Sequence, residues 1–326
     1  MQQRLPTYDD VLAAAEMLGD LAVRTPLIEH PALNERTAGR VLLKAETMQR
    51  VGSFKFRGAY NAIARVDREK FPGGVVASSS GNHAQGVAAA ATLCGMKSLV
   101  VMPHDAPAFK VKRTKDFGAE VYLYNRDTED RDAIGARLCA ERNATYIPPF
   151  DHPDVISGQG TVGLELMQQA KAIGAKLDVV LCGCSGGGVV TGVGLAVKHA
   201  DPSVKVMSVE PAGFDDLARS LVSGQRERNA KMSGSICDAL LAPMPGVITF
   251  ALAKPMLSGG LAVTDDEVRA AVRYAFEELK LVVEPGGAVS LAAILSGKLP
   301  VAGRTIACVL TGGSADPQLY ADILRG

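Results

Sequence analysis

Short β-branched runs alternate with longer stretches of helical periodicity along almost the whole chain, and that alternation limits the fold more than any other feature. Val41–Leu43, Gly74–Ala77, Ser98–Met102, Glu120–Tyr124, Asp178–Cys182, Val204–Glu210 and Thr305–Leu310 read as strands. They are apolar on both faces, as strands of a parallel sheet covered by helices must be. Between them, Ala84–Cys94, Ala106–Phe117, Glu129–Arg142, Val155–Ala172 and Val189–His199 read as helices. The pattern predicts an α/β, doubly wound architecture. Two helix starts carry a capping-box signature, in which a hydroxyl and a carboxylate satisfy free amides: Thr264 with Glu267 and, more loosely, Thr7 with Asp10. A chain of 326 residues is long for one core and predicts two domains. Pro148, Pro149 and Pro153 mark the expected crossover between them.

Charge narrows the partners. Lysine plus arginine and aspartate plus glutamate number 35 each, with no basic stripe or acidic tail, so nothing supports nucleic acid or an anionic membrane as a partner. The start, MQQRLPTYDD, lacks the apolar core of a secretory signal, and no run of ~18 apolar residues occurs. Cytoplasm is the expected location. Cys94, Cys139, Cys182, Cys184, Cys237 and Cys308 sit mostly in apolar runs without a CxxC pair, as reduced core thiols do.

Four segments can carry chemistry. Gly183-Cys184-Ser185-Gly186-Gly187-Gly188 follows a strand and opens a helix. Consecutive glycines cost backbone entropy and are kept where something approaches the backbone closely. Their bare amides at a helix N-terminus suit an anion, here a phosphate. The Walker pattern is absent. A literal GxGxxG at Gly158–Gly163 follows Asp151-His152-Pro153-Asp154 instead of a strand, so it is read as coincidence. In Gly52-Ser53-Phe54-Lys55-Phe56-Arg57-Gly58-Ala59, a lysine stands between two phenylalanines. Desolvation there would lower its pKa and make it a nucleophile toward an aldehyde, whereas a snorkelling lysine at a helix start is the alternative. Ser78-Ser79-Ser80-Gly81-Asn82-His83 again follows a strand and presents hydroxyls and amides suited to a carboxylate. Leu310-Thr311-Gly312-Gly313-Ser314 lies at a strand's carboxyl end, where ligands of open α/β sheets gather.

Taken in order, SFKFRGA (Ser53–Ala59), SSSGNHAQG (Ser78–Gly86), SGGG (Ser185–Gly188), VEPxxxDD (Val209–Asp216), VEPGGA (Val283–Ala288) and LTGGS (Leu310–Ser314) cover nearly the whole chain. The set resembles the fold-type II pyridoxal-phosphate enzymes, and within them the serine/threonine dehydratase and serine racemase family, in its short catabolic form without a regulatory domain. The resemblance implies a tryptophan synthase β-like arrangement. A large cofactor-binding domain would comprise residues 1–47 and 148–326, with a small domain, 48–147, closing over the substrate. It implies Lys55 as the Schiff-base lysine and α-proton acceptor, Phe54 against the pyridine ring and Asn82 on its 3′-oxygen. Ser185, Gly186, Gly187 and Gly188 would cradle the phosphate, and Thr311 would face the ring nitrogen. Ser79, Asn82 and His83 would hold the substrate carboxylate. Glu210, Asp216 and the carbonyl of Phe214 match a divalent-cation site, Mg²⁺ or Ca²⁺. A homodimer is usual in the family.

The implied reaction is loss of water and ammonia from a small 3-hydroxy amino acid such as L-serine or L-threonine. The aminoacrylate formed would hydrolyse to a 2-oxo acid. A hydroxyl at Thr311, unlike a carboxylate, leaves the ring nitrogen unprotonated, which favours elimination over transamination. Departures from the family pattern mark the specificity questions. Ser185 replaces a glycine, Ala239 stands where glycine is frequent, and Ser314 stands where asparagine is frequent. Ser80 replaces the alanine of simple dehydratases and matches the acid/base serine of racemases, while serving equally well as an N-cap. With Lys55 it would place one proton-transfer group on each face of the α-carbon, as racemisation of serine or aspartate requires. Arg131 matches a position able to reach a side-chain carboxylate, making 3-hydroxyaspartate a second candidate substrate.

Overall fold

The computed structural model describes residues 4–326. Its strands are β1 (Leu27–Glu29), β2 (Arg40–Ala45), β3 (Val75–Ser78), β4 (Ser98–Pro103) and β5 (Glu120–Tyr124), then β6 (Thr145–Tyr146), β7 (Val179–Gly183), β8 (Lys205–Pro211), β9 (Gly260–Val263) and β10 (Thr305–Leu310). The helices are α1 (Tyr8–Leu18), α2 (Pro31–Thr37), α3 (Lys55–Ile63), α4 (Asn82–Leu93), α5 (Ala108–Asp116), α6 (Arg131–Arg142) and α7 (Pro153–Ala172). They continue with α8 (Gly188–Ala200), α9 (Asp216–Ser223), α10 (Val247–Met256), α11 (Asp265–Glu277), α12 (Pro285–Leu295) and α13 (Pro317–Arg325).

Two sheets form two α/β domains. The larger has the order β1-β2-β10-β7-β8-β9, the smaller β5-β4-β3-β6. Every pairing is parallel except β1 with β2, which forms an antiparallel edge. Adjacent residues of the central strands bury opposite faces: Val41, Leu43, Val179, Leu181, Ile306 and Cys308 enter one core. Leu42, Val180, Cys182, Ala307 and Val309 enter the other. That double burial is why these runs show no polar alternation. Each such aliphatic side chain contributes about 1.5–3 kcal/mol.

All seven strands expected from the sequence are present. β1, β6 and β9 were not expected. β6 has two residues, β1 is a part-exposed edge, and β9 is half-buried and begins with glycine. None is long enough to display a period. The capping box at α11 is formed, with Glu267 N donating to Thr264 Oγ1 at 3.2 Å and Thr264 N to Glu267 Oε2 at 2.7 Å. At α1 the amide and hydroxyl of Thr7 both donate to Asp10 Oδ2, at 2.7 and 3.0 Å. Pro153 is the first residue of α7, which follows β6, the last strand of the smaller sheet.

The GxGxxG stretch lies inside α7 and binds helices, not a dinucleotide. A Cβ at Gly158 would stand 2.5 Å from Arg57 O, one at Gly160 2.9 Å from Gly192 O, and one at Gly163 2.7 Å from Val193 O. Small residues here let α3 and α8 approach α7 closely. Beside this packing runs a buried ionic network. Arg57 reaches Glu46 at 2.8 Å and Glu165 at 2.7 Å, and Lys44 reaches Glu165 at 2.6 Å. Burial opposes charge on Glu46, yet the Arg57 guanidinium outweighs it and holds the carboxyl below its ordinary range. The network ties α3, and so Lys55, to the larger sheet.

Candidate active site

The carboxyl ends of β3, β7 and β10 release the chain into the segments 79–81, 184–187 and 311–313. Contacts between these segments place them on one seam. Phe54 N donates to Thr311 O at 3.2 Å, Ser53 bridges Gly312, and Asn82 reaches Glu284. Parallel strands aim their carboxyl ends and the following helix N-termini the same way, so two such sheets facing each other concentrate free amides at the seam.

Lys55 is the first residue of α3 and is half-buried. Its Nζ donates to Pro149 O at 2.7 Å. No carboxylate pairs with it, and desolvation lowers its pKa to about 8. A snorkelling lysine would keep its ammonium in water; this one does not. The Phe54 ring centroid lies 5.2 Å from Nζ.

The loop Gly183–Gly188 joins β7 to α8. A Cβ at Gly186 would fall 2.3 Å from the Phe150 ring, one at Gly187 2.9 Å from Thr249 Cβ, and one at Gly188 2.7 Å from Gln159 Oε1. Gly187 also has φ +97°, the left-handed region that favours glycine. Protein packed behind the loop therefore explains these glycines as well as any ligand in front does. The Gly186 carbonyl is turned toward that packing, accepting from Thr249 Oγ1 at 2.6 Å and Gly246 N at 3.1 Å. No side chain caps α8. α10 differs, because Asp151 accepts from Val247 N, Ile248 N and Thr249 N at 2.8, 2.9 and 3.2 Å. One helix start brings its own anion; the other leaves its amides available. Ser185 Oγ accepts from Ala242 N at 3.0 Å, which leaves its proton free for an anion.

The serine segment is arranged otherwise than its composition implies. Gly81, not Ser80, is the N-cap of α4, and no side chain caps it. Ser79 Oγ accepts from Gly81 N at 3.2 Å. Ser80 is half-buried and is released from the capping duty the sequence also allowed. His83 Nε2 lies 2.9 Å from Ile147 O, so that nitrogen carries the proton and Nδ1 is a bare acceptor. Burial and the nearby Lys55 push its pKa down to about 3, so the ring stays neutral. Through its side chain His83 therefore cannot donate to a carboxylate; only its backbone amide, in the first turn of α4, can.

Thr311 is buried, with Oγ1 a loose 3.5 Å from Gly286 O. The Ala239 methyl faces Gly286, and Ser314 Oγ faces Gly52. Arg131 begins α6, half exposed, with Nε 3.3 Å from Asp132 Oδ1. Glu210 and Asp216 are fully buried. Glu210 accepts from Leu217 N and Ala218 N at 3.0 and 2.8 Å, and Asp216 from Asn229 Nδ2 at 2.6 Å. Burial, reinforced by Asp216, pushes the Glu210 carboxyl well above its ordinary range, and burial raises Asp216 to about 6. Asp216 Oδ2 has no partner. Phe214 packs beside them, its amide donating to Pro211 O at 2.9 Å. Among the described residues no group of three or more His, Cys, Asp or Glu side chains is placed so as to hold a metal ion.

Within VEPGGA, the sequence alone assigns Glu284 no role. It is buried at the N-cap of α12, 2.5 Å from Asn82 Nδ2, and burial with Asp238 nearby raises its carboxyl to about 7. A glutamate inside an apolar run, just before Pro-Gly-Gly, was the signal available. The pairing of Lys110 with Asp238, 2.5 Å across the seam, had none, because the partners are 128 positions apart.

A parallel-sheet pair with a lysine that has no carboxylate partner and uncapped amides at the start of α8 can receive a phosphorylated aldehyde, and comparison with known proteins identifies the family. The sequence profile described as "Pyridoxal-phosphate dependent enzyme" matches residues 19–312, and the chain belongs to that family. It is 40% identical over 323 residues to an L-threo-3-hydroxyaspartate ammonia-lyase of Pseudomonas sp, covering 99% of this chain and 100% of the relative. It is 37% identical to the L-threonine ammonia-lyase of Thermotoga maritima, covering 98% and 78%. Among solved structures, maize serine racemase superposes with a TM-score of 0.92 at 33% identity, covering 99% and 98%. The chain is thus an enzyme of the pyridoxal-phosphate lyase type, in the two-domain fold-type II form. No helix among the described residues is long and apolar enough to cross a membrane.

The side chains fit the cofactor. An amine without a carboxylate partner suits the aldehyde, the free α8 amides and the Ser185 hydroxyl suit the phosphate, and the Nδ2 hydrogen that Asn82 does not give to Glu284 suits an anionic oxygen.

Proposed function

We propose that this enzyme eliminates water and then ammonia from a small 3-hydroxy amino acid, L-threonine, L-serine or 3-hydroxyaspartate, yielding a 2-oxo acid. The single observation carrying this reading is the amine of Lys55, buried without a carboxylate and lowered to about 8. Pyridoxal phosphate, when bound, supplies the electron sink for the substrate α-carbon. Lys55 holds it and later takes the α-proton, a role for which a pKa lowered to about 8 serves better than the ordinary lysine value of 10.5. Ser185 and the amides of Gly186, Gly187 and Gly188 hold the phosphate. Phe54 packs on the ring, Asn82 donates to its 3′-oxygen and Thr311 faces its nitrogen without protonating it. The Ser79 hydroxyl and the amides of Asn82 and His83 hold the substrate carboxylate.

Several finer assignments belong to this proposal. The domains divide as 1–47 with 148–326 and 48–147. Glu210, Asp216 and the Phe214 carbonyl bind Mg²⁺ or Ca²⁺, supported by two fully buried carboxylates, of which Asp216 leaves Oδ2 without a hydrogen-bond partner among the described residues. The enzyme works in the cytoplasm and as a homodimer, the dimer supported by Met48 and Val282, apolar side chains left 47% and 51% exposed. Two observations favour particular alternatives. The Ser80 side chain, not used as a cap, supports serine or aspartate racemisation beside elimination. The 40% identity to a 3-hydroxyaspartate ammonia-lyase, with Arg131 exposed at the start of α6, supports the dicarboxylic substrate.

Incubating the cofactor-loaded protein with L-serine, L-threonine and the 3-hydroxyaspartate isomers tests the reading. Release of a 2-oxo acid from at least one is expected, with borohydride reduction fixing the cofactor on Lys55. No 2-oxo acid from any of them refutes it.

A further inference from the structure

We infer that Glu284 is a positioning residue, whose side chain anchors the Asn82 amide so that its second Nδ2–H is presented to the cofactor. The inference rests on the reading that Asn82 meets the 3′-oxygen, and it assigns a function to the one quoted motif, VEPGGA, that the proposed reaction leaves unused.

Asn82 starts α4 of the smaller domain; Glu284 is the N-cap of α12 in the larger. Both are buried, 8% and 5% exposed, and Nδ2 lies 2.5 Å from Oε1. The contact depends on a third residue having no side chain. A Cβ at Gly312 would stand 2.2 Å from Glu284 Oε1 and 3.1 Å from Asn82 Nδ2. Glu284 N in turn donates to Gly312 O at 3.0 Å, so the backbone beside Thr311 holds the carboxylate in place.

An asparagine amide turns about a terminal torsion that is broad and roughly two-fold. Turned one way it presents two hydrogens to its surroundings, and turned the other way it presents an acceptor. Asn82 Oδ1 has no partner, so the bond from Nδ2 to Glu284 is what selects the orientation. One hydrogen is used in that bond, and the other remains for an anionic oxygen. A bond donated to a charged group is among the stronger ones and weakens sharply when misdirected. The surroundings of Glu284 allow it to hold a negative charge or a proton: burial and Asp238 oppose the charge, while Asn82 and Lys110 favour it. A carboxyl oxygen accepts from Asn82 in either state.

The test compares Glu284→Ala with Glu284→Gln, whose side-chain oxygen can still accept. The readouts are cofactor affinity of the apoprotein and the shape of the near-visible absorbance, which reports the environment of the 3′-oxygen. Glu284→Ala should weaken cofactor binding about tenfold and alter the band, and Glu284→Gln should restore both. Glu284→Met, similar in volume but without an acceptor oxygen, substitutes if the alanine variant does not fold. In a double-mutant cycle, Asn82→Ala with Glu284→Ala should lose no more affinity than Asn82→Ala alone. An alanine or methionine variant with wild-type band and affinity overturns the inference, as do fully additive losses. Wild-type protein that takes up no cofactor instead defeats the parent reading.

Discussion

Lys55 and Arg57 are two residues apart on α3, both are withdrawn from water, and they have opposite fates. Arg57 is fully buried yet meets Glu46 and Glu165 at 2.8 and 2.7 Å, with Thr161 Oγ1 accepting another bond at 3.2 Å. Its burial is outweighed and its pKa is raised, so it is a permanent cation. Lys55 meets one backbone carbonyl and no carboxylate, and burial alone lowers it to about 8. Burial therefore does not make a cation reactive. Burial without a counter-charge does, because the only way left to relieve the desolvation is to lose the proton. The two positions divide the labour of one helix, since the arginine's ion pairs fix the frame in which the lysine can remain unpaired.

Removing each cation separates these roles. Lys55→Ala should lower 2-oxo acid release by roughly a thousandfold or more while the apoprotein's melting temperature does not fall. A melting temperature that falls as far as the activity does would show Lys55 to be structural. Arg57→Met should do the reverse, costing about 3–5 kcal/mol in urea unfolding because Glu46 is left buried and unpaired. Most of that loss should return when Glu46→Gln is added, because the carboxylate left behind, Glu165, keeps Lys44 as its partner at 2.6 Å. A double variant as unstable as the single one would mean that Arg57 acts through packing and not charge.

The smallest of these effects is read in pH. Uptake of cofactor by the apoprotein should rise with pH and become half-maximal near 8, not near the lysine reference of 10.5. The sign for stability is the same. Between about 8 and 10.5 the unfolded chain binds more protons at this site than the folded one, so the penalty that Lys55 places on folding below pH 8 is lifted as pH increases through that window. Uptake that keeps increasing toward pH 10 would place a counter-charge near Lys55 and erase its contrast with Arg57.

Composition and order alone carried a large share of this protein. Runs such as Val179–Cys182 had to be buried strands because no polar residue interrupts them, and the flanking glycines at Gly186–Gly188 had to be a turn with bare amides. The chemistry-bearing segments were recognisable for the same reason: each is local, a few consecutive residues at a strand end. Tertiary structure decided what depends on residues distant in sequence. It made Gly158–Gly163 a packing face against α3 and α8, placed Phe150 and Thr249 behind the glycine loop, and turned His83 so that its ring donates to Ile147 O and has no proton left for a carboxylate. It also left Lys55 without the carboxylates it gave to Arg57, and brought Glu284 to Asn82 from 202 positions away. Local sequence specifies backbone conformation and which groups are available. A pKa or a hydrogen-bond orientation is set by whatever the fold brings within a few ångströms, and those neighbours come from elsewhere in the chain.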